Sequence, residues 1–224
     1  MVDPDTLEAI LFDLDGTLLD SDDQAVETLA HRLGRIGLSD PHPVARRLVM
    51  RLETPANTAM TLLDILGLDA PLSGLTTWLR RLRGLRASSD FRIVPGTDDA
   101  LRALAQRYRL GIVTTRGRRD AEAFLTQFDL GPLFEVVVTR ESTWRLKPHP
   151  APILHAAHMM GLPPQRCAMV GDTTVDVRAA LRAGAWAVAV LCGFGEKKEL
   201  ERAGAHLILP SPADIPAALR LADR

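Results

Sequence analysis

The sequence predicts an α/β fold, a doubly wound and mostly parallel sheet interrupted near its start by a helical insertion. Three observations carry this: six short apolar runs separated by helical stretches, the absence of in-out alternation within those runs, and a segment, 18–91, that has no such run. Runs apolar throughout belong to strands covered by helices on both faces.

The first run, EAILF at 8–12, leads into Asp13 and Asp15 and turns on Gly16. In an extended segment residues two apart point to one side, so both carboxylates face one pocket. Like charges this close repel, and a bound cation would offset the repulsion. Gly16 lets the backbone turn close to a ligand, where its amide can help hold an anion. Asp and Gly are also ordinary turn residues, so DLDGT alone is equally a strand ending in a turn.

Helical candidates follow at 23–36, 43–52, 56–66 and 75–85. Turn chemistry flanks them, LLDSDD on one side and RASSDFRIVPG on the other, which suits a two-strand hinge. The expected organisation is a core domain of 1–17 and 92–224 and a helical domain of 18–91. The arginines of that insertion are balanced by nine Asp and Glu between Leu18 and Phe91, the pattern of a solvated face.

The remaining runs are LGIVT (110–114), FEVVV (134–138), CAMVG (167–171), WAVAVL (186–191) and HLILP (206–210). Ligands of open parallel sheets lie beyond the carboxyl ends of the strands. That places Asp13 and Asp15, Thr114 and Thr115, and Gly171 and Asp172 at one edge. After the fourth run, Asp172 and Asp176 are four apart and share a face of the starting helix. With Asp13 they make three hard oxygen donors of the kind Mg²⁺ takes, although acidic residues at a helix start also compensate its dipole. Lys147, in LKPHP, is one of three lysines against 24 arginines, a compact charge suited to neutralising phosphate or a carboxylate cluster.

Composition bounds the partners. A chain of 224 residues, 46% hydrophobic, can bury a full core, and a net charge of −1 with pI near 6.6 gives no long-range attraction for nucleic acid or anionic lipid. The acidic MVDPDTLEA lacks the basic region of a signal peptide, and the longest apolar run, Ala185–Cys192, is too short to span a bilayer, so a cytoplasmic location and no membrane partner are expected. Cys167 and Cys192 are expected as buried free thiols.

Four segments, DLDGT (13–17), IVTT (112–115), LKPHP (146–150) and GDTTVD (171–176), resemble in order and spacing the four motifs of the haloacid dehalogenase superfamily. Segment 18–91 is similar to the α-helical cap of its phosphoglycolate phosphatase and β-phosphoglucomutase branch. The resemblance implies that Asp13 is the nucleophile, forming an aspartyl-phosphate. It makes Asp15 the general acid and base, with its backbone carbonyl on Mg²⁺. It further implies Asp13 and Asp172 as metal ligands, Asp176 as a support orienting Lys147 or a water, and Thr114 as a phosphoryl-binding hydroxyl aided by the amides near Gly16. Lys147 offsets charge on phosphate and nucleophile. Thr115 and Arg116, just past the second run, lie near enough to contact substrate. Arg51 falls where cap relatives place a specificity loop and either reaches for a substrate anion or is a solvated helix-end charge.

Asp15 argues against halide chemistry, because the family's dehalogenases lack the second aspartate. The first lysine being Lys147, past the cap, argues against a cap-lysine phosphonatase. The expected function is a Mg²⁺-dependent phosphatase acting on a small phosphorylated metabolite, phosphoglycolate-like or a sugar phosphate, with pyrophosphate behind, as a monomer or homodimer. A phosphosugar mutase, or a catalytically silent binding protein with this fold, is the alternative. His155 and His158 lack a third zinc ligand, the glycines at 193–195 read as a turn, and Trp144 and Trp78 read as packing residues.

Overall fold

The computed structural model describes residues 6–20 and 91–221, with isolated helical positions at 30, 33–35 and 44. The chain divides into two compact units, Met1–Asp20 with Phe91–Arg224, and Ser21–Asp90. Apart from those isolated positions, the four helices expected between 23 and 85 lie outside the described residues, as do Arg51 and Trp78. Where the first unit is left and re-entered, the strands of chain lie antiparallel: Leu19 bridges Ile93, the Asp20 amide donates to Arg92 O at 2.8 Å, and the Val94 amide to Leu18 O at 3.0 Å.

The first unit is a doubly wound sheet. Its strands are β1 (Ala9–Phe12), β2 (Arg109–Val113), β3 (Phe134–Val138), β4 (Cys167–Gly171), β5 (Trp186–Val190) and β6 (Leu207–Leu209). They lie in the order β3-β2-β1-β4-β5-β6, and all five pairings are parallel. Each of the six predicted runs forms a strand within a residue or so of its expected bounds. The described helices between them are α1 (Thr97–Ala105), α2 (Arg118–Gln127), α3 (Ala151–Met159), α4 (Thr174–Ala183), α5 (Lys197–Ala203) and α6 (Ile215–Leu221).

Side-chain alternation along β1 splits the core in two. Ile10 and Phe12 join Leu101 and Leu104 of α1, Phe124 and Leu125 of α2, and Ile215 and Leu219 of α6 on one face. Ala9 and Leu11 join Ile153, Ala156 and Ala157 of α3, Val177 and Ala180 of α4, and Leu200 of α5 on the other. The central strands β1, β4 and β5 are buried at every position, which is why their sequences show no alternation. Edge strand β3 departs from that expectation, because Glu135 is exposed and meets the Arg109 guanidinium on β2 in a solvent-facing ion pair.

Trp144 also departs from expectation. It is 90% exposed, with only the Arg145 guanidinium 5.4 Å from its ring centroid as a ring contact. It sits in the loop between β3 and α3, where an aromatic gains a packing partner only if the loop folds inward. No described helix is long and apolar enough to cross a membrane.

Helix α4 starts where it does because Thr173 and Asp176 form a reciprocal capping box, and it stops at Gly184, which adopts φ 76°. Its first turn therefore stands directly after Asp172. The connections from β1 and β4 leave in opposite directions, making the gap between these neighbouring strands the topological switch point of the sheet.

Candidate active site

Asp13 is the first residue past β1. Its amide donates to Val170 O on β4 at 2.9 Å, pinning the strand end, and its side chain is buried. Leu14 turns into the core, and Asp15 is near enough to Asp13 to act on its charge. The Leu14 carbonyl then accepts from the amides of Thr17, Leu18 and Leu19, closing a tight loop around Gly16. Gly16 has φ +71°, and a Cβ there would lie 2.4 Å from Asp172 Oδ2. Glycine is required by both backbone and space.

Asp172, fully buried at the end of β4, is held from two sides. Thr17 Oγ1 donates to its Oδ1 at 3.3 Å, and the Phe194 amide donates to its Oδ2 at 2.9 Å. The glycines beside Phe194 make that second contact possible: a Cβ on Gly193 would lie 2.2 Å from Asp172 Oδ2, and one on Gly195 would lie 2.0 Å from Asp172 O. The segment 193–195, expected as a plain turn, is thus a backbone strap against an acidic residue. Two glycines just after a strand end, on the edge where the other motifs fall, were the available signal. Cys192 in the same loop corrects the expectation of two buried thiols: it is half-buried, its thiol directed at Gly16 O at 3.3 Å, whereas burial pushes the Cys167 thiol up to about 11.

Lys147 is carried in by the β3–α3 loop and is almost wholly buried. Its Nζ lies 3.0 Å from Asp13 Oδ1 and 2.6 Å from Asp176 Oδ1. The other Asp176 oxygen accepts from the Thr173 amide at 3.2 Å and from Thr173 Oγ1 at 2.6 Å. Asp176 therefore spends one oxygen on Lys147 and the other on the cap of α4. Gly171 admits it, since a Cβ at that position would lie 2.3 Å from Asp176 Cγ.

Charge is strongly perturbed here. Burial pushes the Asp13 carboxyl up to about 7, with Lys147 opposing the shift and Asp176 and Asp15 adding to it. Burial also works against the Lys147 ammonium, but Asp13 and Asp176 outweigh it and hold its pKa above the ordinary lysine range. Although Lys147 is close, its approach to Asp13 Oδ1 is off-angle, and that buried oxygen has no hydrogen-bond donor among the described residues. A buried carboxylate oxygen left so keeps acceptor capacity to spare.

Carboxylate oxygens of Asp13, Asp172 and Asp176 lie within 4.8 Å of one another. Three hard oxygen donors this close fit a small divalent cation. Because Asp176 already has the Lys147 ammonium as its counter-charge, while Asp172 accepts from a neutral hydroxyl and a neutral amide, Asp13 and Asp172 are the side chains that would hold it.

Asp15 stands apart from this cluster. Arg116, the residue after Thr114 and Thr115, grips its carboxylate: Nε is 2.9 and 2.8 Å from the two oxygens and Nη2 is 2.6 Å from Oδ1. Sequence reasoning placed Arg116 near substrate; the pairing with Asp15 is a contact it did not foresee. Thr114, buried at the end of β2, accepts from the Arg116 amide at 3.1 Å through Oγ1. Thr115 is half-buried beside it. His155 and His158, on α3, form no part of the acidic cluster.

A carboxylate cluster braced by an ammonium, at the switch point of a parallel sheet, defines the class: a Rossmann-like core with its ligand site at the strand ends. The chain belongs to the haloacid dehalogenase-like hydrolase family, whose model matches residues 10–190. It is 31% identical over 214 residues to a phosphoglycolate phosphatase of Chromobacterium violaceum, covering 93% of this chain and 95% of the relative. To a phosphoglycolate phosphatase of Nitrosococcus oceani it is 28% identical over 223 residues, covering 93% and 94%. Among solved structures, a HAD family hydrolase from Deinococcus radiodurans R1 with bound phosphate and sodium matches with a TM-score of 0.70 at 26% identity, covering 97% of each chain.

Proposed function

We propose that the chain is a Mg²⁺-dependent phosphatase that hydrolyses a small phosphorylated metabolite, phosphoglycolate-like or a sugar phosphate, through an aspartyl-phosphate on Asp13. The observation that carries this reading is the buried Asp13 carboxylate, which has Lys147 at 3.0 Å and an oxygen within 4.8 Å of an Asp172 oxygen. A carboxylate so placed is a nucleophile awaiting neutralisation.

Bound Mg²⁺ would cancel the repulsion between Asp13 and the phosphate oxygens and keep Asp13 ionised. In the first transfer an Asp13 oxygen bonds to phosphorus while the bond to the leaving oxygen breaks, and Asp15 gives that oxygen a proton. Asp15 then takes a proton from water, whose oxygen attacks phosphorus, freeing phosphate and restoring Asp13. Lys147 holds Asp13 in place through both steps and offsets the charge on the transferring group. Thr114 Oγ1 and the amides around Gly16 are proposed to bind that group. The helical insertion, 18–91, is proposed to act as the cap that admits substrate, and Arg51 to meet the substrate's distal anion. The relatives' names support phosphoglycolate as the first substrate to try.

Release of phosphate from phosphoglycolate and from sugar monophosphates, measured with Mg²⁺ and with chelator, tests the reading. Chelator is expected to lower the rate by roughly 10³-fold or more, with Mg²⁺ restoring it. Equal rates with and without metal would overturn the reading, as would an isomer accumulating in place of phosphate.

The strap of 193–195 supplies a finer test. Gly195→Ala forces a Cβ onto Asp172 O and moves the Phe194 amide off the carboxylate. The expected result is a roughly 10- to 100-fold weaker Mg²⁺ dependence, read as the metal concentration at half-maximal rate. An unchanged half-saturation would show that the strap does not support the metal ligand.

A further inference from the structure

We infer that Arg116 is the positioning residue for the proton-transfer carboxylate Asp15, not a contact for substrate; this rests on the assignment of Asp15 under the proposed function. Three N–H···O contacts of 2.6 to 2.9 Å spread over both Asp15 oxygens commit one face of the guanidinium to that carboxylate. Such a fork fixes a carboxylate in plane as well as in place, which a single charge cannot do.

The fork is itself held. The Arg116 guanidinium lies 5.8 Å from the Phe91 ring centroid, and its side chain is only 14% exposed. Its amide is bonded to Thr114 Oγ1, and its carbonyl accepts from the Arg140 amide at 3.1 Å. The backbone of the second strand end and the side chain over Phe91 thus set one geometry. Asp15, by contrast, has 28% of its side chain exposed. Among the described residues, no hydrogen bond other than those of the guanidinium reaches its carboxylate. A general acid must lie within about 3 Å of the atom it protonates, and displacement of 1 Å can reduce a rate by about 10²-fold.

This role has a signature that a substrate contact lacks. Proton donation matters for a poor leaving group such as an alkoxide and little for p-nitrophenolate. Because kcat/KM reports only the steps through formation of the aspartyl-phosphate, it isolates the donation step. Arg116→Gln keeps the first methylenes of the side chain while removing the charged fork. It is expected to lower kcat/KM on an alkyl phosphate by roughly 10- to 100-fold, and on p-nitrophenyl phosphate by less than about 3-fold. Arg116→Ala with free guanidinium ion added is expected to regain part of the alkyl phosphate activity, which covers the case in which the Gln variant folds poorly.

Asp15→Asn is the reference and should show the same selectivity, larger. In the double variant the Arg116 substitution should have no further effect on leaving-group preference. Equal losses on both substrates in Arg116→Gln, or no loss, with Asp15→Asn still selective, would overturn the role of Arg116 alone. Loss of selectivity in Asp15→Asn would remove the Asp15 assignment and this inference together.

Discussion

Asp13→Asn is expected to lower turnover by about 10⁴-fold or more and, at the same time, to make the metal-free protein more stable at neutral and alkaline pH. The first effect follows from losing the attacking oxygen's charge. The second follows from burial. In the folded chain the Asp13 carboxyl keeps its proton to about pH 7, against an ordinary value of 3.8. Below the ordinary value both states are protonated and Asp13 imposes no penalty. Between the two values the unfolded chain is ionised while the folded one still holds the proton, so stability falls as pH rises. Above about 7 the whole penalty is present. Thermal melts of the metal-free variant should therefore match wild type near pH 4 and exceed it above pH 7. Mg²⁺ should raise the wild-type melting temperature more than that of the variant. A variant with wild-type turnover, or one less stable than wild type at pH 8, would contradict the role given to this residue.

Lys147→Ala is expected to strike stability and activity together. It leaves Asp13 and Asp176 buried without their shared counter-ion, a loss of roughly 3–5 kcal/mol. For a chain of this size that lowers Tm by about 10 °C or somewhat more. Lysine's own titration does not limit the window, because its pKa lies above the usual range and the ammonium persists throughout neutral pH. The pH dependence comes from Asp13, so the deficit should shrink toward pH 5 as that carboxyl takes up a proton. Turnover should fall by about 10²-fold or more, with neutralisation of the transferring group lost. Lys147→Arg is not expected to restore either property, since a planar fork does not fit a point-charge position between two carboxylates. A Tm unchanged at pH 8 would mean that the two aspartates are not both ionised in the folded protein.

Much of the fold was legible because the evidence for it is local. Val-, Ile- and Ala-rich runs of five residues, bounded by glycine and polar residues, form buried strands almost independently of what surrounds them. The spacing in Asp13-Leu14-Asp15 keeps two carboxylates at one strand end, and Thr173 with Asp176 starts a helix beside Asp172 through a local capping box. The rarity of lysine singled out Lys147 for the same reason: a residue type used sparingly stands out without any knowledge of its neighbours.

What the sequence hid depends on distant partners. The Arg116 pairing with Asp15, 101 residues earlier, carries no local signal. The glycines at 193–195 looked like a turn because their tight approach is to Asp172, which only the packing of β5 against β4 brings near. Glu135 has strand-like surroundings in the sequence and Trp144 is a large aromatic, yet a sheet edge and a loop leave both in solvent.

Taken by itself, the sequence determined the composition of each strand and helix, the four strand-end motifs and the acidic character of the site. Those properties come from alternation, helix periodicity and turn chemistry, all set within a few residues. Only the tertiary structure decided that β1 lies between β2 and β4, that Asp176 is spent on Lys147 and its helix cap, and that Arg116 and the 193–195 strap face carboxylates. Strand order and ion pairing depend on the free energy of covering both sheet faces at once. That quantity belongs to the whole core and to no single segment of it.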